Sequence, residues 1–166
     1  KDRFSVIVNE INNENEAIVI DSGENYKKIK QTEQDLNVKI KAVLLTHAHF
    51  DHAGNVKKLQ DDGVKIYISK QDAPKLLNED NLSSDFGRRF DYCKADFTFD
   101  DQDELDVCGI KIKVMLTPGH TDGSMAIVLD DIIFTGDTLL KENHGKTTLP
   151  GGDEDKLIES INRLVK

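Results

Sequence analysis

Several features that would settle this chain's class at once are missing. Tryptophan is absent, and aromatic residues make up only 6% of the 166 positions. The two cysteines, Cys93 and Cys108, form no metal-binding spacing, which argues against a thiolate zinc centre. Two free thiols in a reducing cytosol are expected, with a Cys93–Cys108 disulfide as the alternative. No apolar run nears the roughly 20 residues that span a bilayer. The first residues do not read as a signal peptide, so the expected location is the cytoplasm, with no membrane partner. Basic residues are also scarce: 22 Lys and Arg stand against 31 Asp and Glu, a net charge of −9. That balance argues against nucleic acid as a partner, because phosphate contacts need clustered Lys and Arg. It does not exclude an anionic substrate, since two bound dications would reverse the local field. What is present is ordinary: 32% charged and 37% hydrophobic residues. A chain of this length is one domain by the usual prior and buries roughly 70% of its unfolded surface.

Against this background, Thr46-His47-Ala48-His49-Phe50-Asp51-His52 stands out. Three of the chain's five histidines and one carboxylate fall within positions 47 to 52. Val43, Leu44 and Leu45 before them read as a buried strand, and Gly54 with the run from Asn55 to Gln60 reads as the start of a helix. The cluster therefore sits at the carboxyl end of a strand, where open α/β sheets place their sites. His47 and His49, two apart in an extended segment, point the same way, whereas adjacent Asp51 and His52 diverge. One pair can serve one metal ion and the other pair a second. Neutral imidazole plus carboxylate, without thiolate, suits zinc, iron or manganese. The alternative, a histidine-rich turn that binds nothing, leaves the crowding of three imidazoles without a reason.

Taken in order, Phe4 to Val8 and Ala17 to Asp21 read as two strands of a hairpin joined by a polar turn, Asn9 to Glu16. Asn25 to Leu36 reads as a helix, Lys39 to Leu45 as the strand into the cluster, and Val64 to Ile68 as a further strand. Ser69 to Leu77 reads as a helix capped by Ser69, with Pro74 near its middle or marking a break. Asn78 to Lys94 has no regular period. It reads as a solvated excursion with aromatic anchors Phe86, Phe90 and Tyr92, or as a flap whose Arg88 and Arg89 meet an anionic substrate. Beyond it come short strands over Phe97–Phe99, Glu104–Val107 and Ile110–Leu116, a hairpin of Ser124–Leu129 with Ile132–Thr135, a long loop from Lys141 to Gly152, and an amphipathic helix over Asp153–Lys166. Two β-sheets back to back with helices outside accommodate this layout.

Two further loops repeat the first one's chemistry. His120 follows a strand, Pro118 and Gly119; Asp137 follows a strand and Gly136. Metal-competent side chains at strand ends, each beside a glycine, can converge on one edge of a sandwich.

These segments resemble the metallo-β-lactamase superfamily. Thr46 to His52 matches its T-H-x-H-x-D-H motif. Thr117-Pro118-Gly119-His120 resembles its next histidine motif, and Phe134-Thr135-Gly136-Asp137 its bridging-aspartate motif. Asp21, closing Ile18-Val19-Ile20, fits its early aspartate. Leu149-Pro150-Gly151-Gly152-Asp153 is a weaker pointer to the glyoxalase II-like (hydroxyacylglutathione hydrolase-like) branch.

The resemblance implies a single domain over 1–166, an α/β fold built as a four-layer α/β/β/α sandwich. It implies two divalent metal ions, zinc first, with iron or manganese as alternatives. One is held by His47, His49 and His120, the other by Asp51 and His52, with Asp137 bridging. Asp21 would orient this cluster and Asp51 would also hold the nucleophile. The implied activity is hydrolysis of a small thioester or ester by a metal-bridging hydroxide. A lactonase or phosphodiesterase of the same fold is the first alternative, and a weakly active metal-binding fragment of a larger protein the second. Aspartate at 137 argues against the true β-lactamases, many of which have cysteine there. The family's first strand and the C-terminal segment with its last ligand histidine are not recognisable, so the chain is expected to be clipped at both ends. His144 does not match that missing position and is expected to face the surface or the substrate. The oligomeric state is left open.

Overall fold

A computed structural model describes residues 4–9, 15–130, 132–140 and 143–165. Two sheets form the centre. The first runs in the order β1 (Ser5–Asn9), β2 (Glu16–Ile20), β3 (Lys39–Leu44), β4 (Lys65–Ser69) and β5 (Phe97–Phe99). β1 pairs antiparallel with β2, and the remaining pairs are parallel. The second sheet is wholly antiparallel: β6 (Glu104–Val107), β7 (Ile110–Leu116), β8 (Met125–Leu129) and β9 (Ile132–Phe134).

Strand alternation divides the core in two. Ala17, Val19 and Val43 face α1 (Tyr26–Asp35) and α3 (Val56–Asp61), where they pack with Ile29, Val56 and Leu59. Ile18, Ile20, Ala42 and Leu44 face the other way and meet Val114, Met125 and Ile127 of the second sheet. Burial on both faces explains why Ala17–Ile20 of β2 and Ala42–Leu44 of β3 are continuous apolar runs rather than alternating ones. α4 (Glu154–Leu164) lies against the end of β7: Ser160 Oγ donates to Pro118 O at 2.7 Å, and Arg163 Nη1 donates to Leu116 O at 3.0 Å. The architecture is the α/β/β/α sandwich.

Three local expectations need correction. The helix expected over 69–77 is a 3-10 turn over Ala73–Leu77, with Pro74 in its opening positions. Ser69 does not cap it but ends β4, and its hydroxyl accepts from Asp72 N and donates to Gly123 O, which closes a tight turn instead. The excursion over 78–94 contains two short 3-10 turns, Glu79–Asn81 and Ser84–Phe86, each ended by a left-handed residue, Leu82 and Gly87. A helical turn, α2 (Phe50–Ala53), starts inside the histidine cluster rather than after it, so Asp51 and His52 sit on a helix. The polar turn between β1 and β2 lies largely outside the described residues.

Candidate metal centre

Thr46 joins the cluster to both sheets. It lies two residues beyond the end of β3, and its carbonyl accepts from Met125 N at 2.8 Å. Its own N–H donates to Asp21 Oδ1 at 2.8 Å, and its hydroxyl lies 2.9 Å from Asp21 Oδ2. Asp21 adopts φ 57°, and the turn that follows donates Ser22 N and Gly23 N to the carbonyl of His52. The carboxylate thus fixes the segment before the histidines, and its backbone fixes the helical turn after them. Gly136 must be glycine here, because a Cβ would stand 2.5 Å from Thr46 Oγ1 and φ is +56°.

The partners of each imidazole identify which nitrogen is free. His52 Nδ1 donates to Asp21 Oδ2 at 2.8 Å. His120 Nδ1 donates to Lys146 O at 2.7 Å. The Thr46 hydroxyl, already donating to Asp21, accepts from His47 Nδ1 at 3.0 Å. All three rings therefore turn Nε2 inward, the arrangement in which an outer hydrogen bond orients a ligand. His49 presents Nδ1, 3.0 Å from His120 Nε2. His47 Nε2, His49 Nε2 and His52 Nε2 are buried and make no hydrogen bond among the described residues.

Two compact groups result: His47, His49 and His120, and His47, His52 and Asp137, with the candidate ligand atoms of each within 4.8 Å of one another. Asp137 is the common neighbour. One of its oxygens lies 3.3 Å from His120 Nε2 and 3.7 Å from His47 Nε2, and the other 3.3 Å from His52 Nε2. Asp51 stands at the rim, its Oδ2 3.8 Å from His52 Nε2, and belongs to neither compact group. His144 is exposed in the loop after Asp137 and also lies outside both. Orphaned buried nitrogens around a carboxylate are poor packing by themselves and fit divalent ions well.

The charge states agree. Burial, helped by His52 and His49, pushes His47 well below the usual histidine range. Burial and then His120 lower His49 to about 3, so both are neutral and can donate lone pairs. Burial also opposes a charged His52, but the Asp21 and Asp137 carboxylates outweigh it and raise that imidazole to about 10. Burial would raise Asp137, yet His120 and His52 hold its carboxyl below the ordinary range. In the metal-free protein a proton on His52 takes the place of a cation between two carboxylates.

A second buried network supports the first, and sequence reading did not find it. Asp72 is fully buried and accepts from Ala48 N, between His47 and His49, at 3.0 Å, and from Thr121 Oγ1, beside His120, at 3.0 Å. Lys75 Nζ balances its charge at 2.7 Å and also pairs with Asp122. One carboxylate therefore ties two ligand-bearing loops that lie about seventy residues apart in sequence. The only sequence signal was an Asp and a Lys three apart in a segment that reads as a helix.

A cleft of ≈ 400 Å³ opens over His49, Asp51, His120 and Asp137. Gly145 forms part of its floor, with its N–H donating to Asp137 O at 2.7 Å; a Cβ there would stand 2.2 Å from that oxygen. Arg88 and Arg89 do not line the cleft. They pair with Glu24 and Asp91 in solvent, while Leu82 and Phe86 of the same excursion do line it.

The Metallo-beta-lactamase superfamily model matches residues 3–166. The chain belongs to the metallo-β-lactamase superfamily. Among relatives, it is 31% identical over 153 residues to the probable polyketide biosynthesis zinc-dependent hydrolase PksB of Bacillus subtilis, covering 89% of this chain and 60% of that protein. It is 34% identical over 155 residues to the hydroxyacylglutathione hydrolase GloC of Haemophilus influenzae, covering 89% of this chain and 73% of that one. The crystal structure of the BLEG-1 B3 metallo-β-lactamase superposes with a TM-score of 0.88 at 30% identity, covering 96% of this chain and 78% of that one. This chain therefore spans only about three-fifths to three-quarters of the length of these relatives. The Thr46–His52 segment is the part of this site that comes from one stretch of chain; His120 and Asp137 are brought to it by the fold.

Proposed function

We propose that this chain is a dinuclear metal-dependent hydrolase of a small thioester or ester. The observation that carries the reading is the pair of ligand groups that share His47 and converge on Asp137, a donor set for two ions rather than one. The similarity to a hydroxyacylglutathione hydrolase supports the thioester class. His47, His49 and His120 would hold one ion, and His52 with Asp137 the second, with Asp51 adjacent. Bound zinc, iron or manganese lowers the pKa of water toward neutrality and polarises a carbonyl. The protein's own part is to aim the imidazoles and to keep His47 and His49 neutral. Asp21, Thr46 and Lys146 O fix the ring tautomers, and Asp72 holds the loops in register. Asp51, partly exposed at the cleft, would accept a hydrogen bond from the attacking water and orient it.

The partner is a small molecule. The net charge of −9 opposes nucleic acid, and no helix among the described residues is long and apolar enough to cross a membrane. We infer a cytoplasmic location, in keeping with a chain of only two cysteines.

Metal analysis combined with a substrate panel tests the reading. Two equivalents of metal per chain are expected, with turnover of S-lactoylglutathione exceeding that of a lactone, a β-lactam or bis-p-nitrophenyl phosphate. His49→Ala is expected to lose metal and turnover together. Undiminished hydrolysis in that variant would sink the mechanism.

A further inference from the structure

The cleft beside the metal ligands has an apolar wall that the hydrolytic chemistry does not use. Phe50, between His49 and Asp51, meets the ring of Phe86 at a centroid distance of 5.2 Å. Phe86 is nevertheless 61% exposed, and Leu140, which also lines the cleft, is 41% exposed. A large aromatic left open in a chain with so few aromatics, directly over metal-competent side chains, is an unfilled contact rather than scattered surface.

The wall is also built at a cost. Leu82 adopts φ 68° and ψ 6°, a left-handed conformation that is an outlier for a bulky residue. It ends the turn Glu79–Asn81, where Asn or Gly would sit without strain. The kink places the Leu82 side chain, 4% exposed, in the cleft lining, and the next turn ends at Phe86 with Gly87 left-handed behind it. Strain of this kind persists where the surroundings over-determine it, and it clusters at ligand sites. Apart from the metal-competent His49, Asp51, His120 and Asp137, the polar lining among the described residues comes from the loop of Asn143, His144 and Lys146.

We propose that Phe50, Leu82 and Phe86 form the specificity surface of the site and take an apolar branched or aromatic group attached next to the scissile carbonyl. This rests on the hydrolase reading for the carbonyl, but not for the surface. Substrates would then be acyl compounds such as phenylacetyl or isovaleryl thioesters rather than acetyl ones.

The test uses the zinc-loaded chain and two readouts. Calorimetric titration with the carboxylate products is expected to show phenylacetate binding at least about tenfold more tightly than acetate, the discrimination a hydrophobic pocket supplies for added apolar groups. Phe86→Ala and Leu82→Ala should shrink that ratio toward one, whereas Arg89→Ala on the same excursion should keep it. The kcat/KM ratio of phenylacetyl to acetyl thioester should follow the same pattern. Equal binding of the two carboxylates, or a preference unaltered by Phe86→Ala, overturns the proposal. So does a dimer that Phe86→Ala converts to monomer, because the wall would then be a contact between copies. If no thioester is turned over but the phenylacetate preference holds and depends on Phe86, the surface stands and the hydrolase reading falls.

Discussion

Single residues in this site act chiefly by holding others. Asp21 belongs to neither compact ligand group, yet it accepts from His52 Nδ1, Thr46 N and the Thr46 hydroxyl. Asp21→Asn removes the charge and leaves the shape. It is expected to weaken the second metal equivalent by about 10- to 100-fold, with the first little changed, in a zinc titration against a competing chelator. Equal weakening of both equivalents would mean that Asp21 acts through the fold instead. Asp72 poses a stability question as well. Asp72→Ala leaves Lys75 buried without its one buried carboxylate partner and strips Ala48 N of its acceptor, which should cost about 3 kcal/mol in urea unfolding. Because the loss is that of a stranded charge, Asp72→Ala with Lys75→Met should recover part of it. A double variant no more stable than the single one would refute that account.

At the scale of elements, the site depends on close backbone approaches between a loop and its support. Gly119 is the clearest. A Cβ there would meet Leu157 Cα and Cβ of α4 at 2.4 Å, and its φ of +147° is one that side chains rarely adopt. The contact lets α4 lie directly on the loop that presents His120, with Asp153 N donating to Gly119 O at 2.8 Å. Gly63, at φ +96° with nothing within 4 Å of its missing Cβ, separates strain from clash. Gly119→Ala is expected to destabilise the chain by about 1–3 kcal/mol more than Gly63→Ala in thermal unfolding. It should also lower zinc affinity, because α4 has to move. Equal losses for the two variants would leave strain as the whole effect.

At the scale of the whole molecule, the metal-free protein carries a pH dependence set by its own imidazoles. His52, raised to about 10 when folded against 6.5 ordinarily, adds stability that is complete below about pH 6.5 and is lost as pH rises through 10. His49, lowered to about 3, works in the opposite sense. Its contribution is present above about pH 6.5 and is lost as pH falls through 3, because the unfolded chain then binds the proton the folded one refuses. Chelator-treated protein is therefore expected to be most resistant to urea near pH 6.5. His52→Gln should flatten the alkaline side of the profile and leave the acid side. An alkaline limb unchanged in that variant would place its origin elsewhere.

Much of this was legible in the sequence because the signals are local. Thr46 to His52 announces metal chemistry by residue type alone, and apolar runs at β2 and β3 announce strands because both faces are buried. His120 and Asp137 were legible as ligands from their places at strand ends beside glycines, taken together with the cluster, and the superfamily resemblance gave each its role. The two 3-10 turns of the excursion escaped because such turns have no period to read. The Asp72–Lys75 pair escaped because its meaning lies in Ala48 and Thr121, one on each side of it in the chain. The residues able to bind metal are thus written in composition and spacing, which depend on neighbours in the chain. Tertiary structure alone decided which nitrogen each ring offers, that Asp51 sits at the rim, and that Leu82 and Phe86 rather than Arg88 and Arg89 face the cleft. Those outcomes turn on hydrogen bonds and close contacts between segments dozens of residues apart, and no local pattern encodes them.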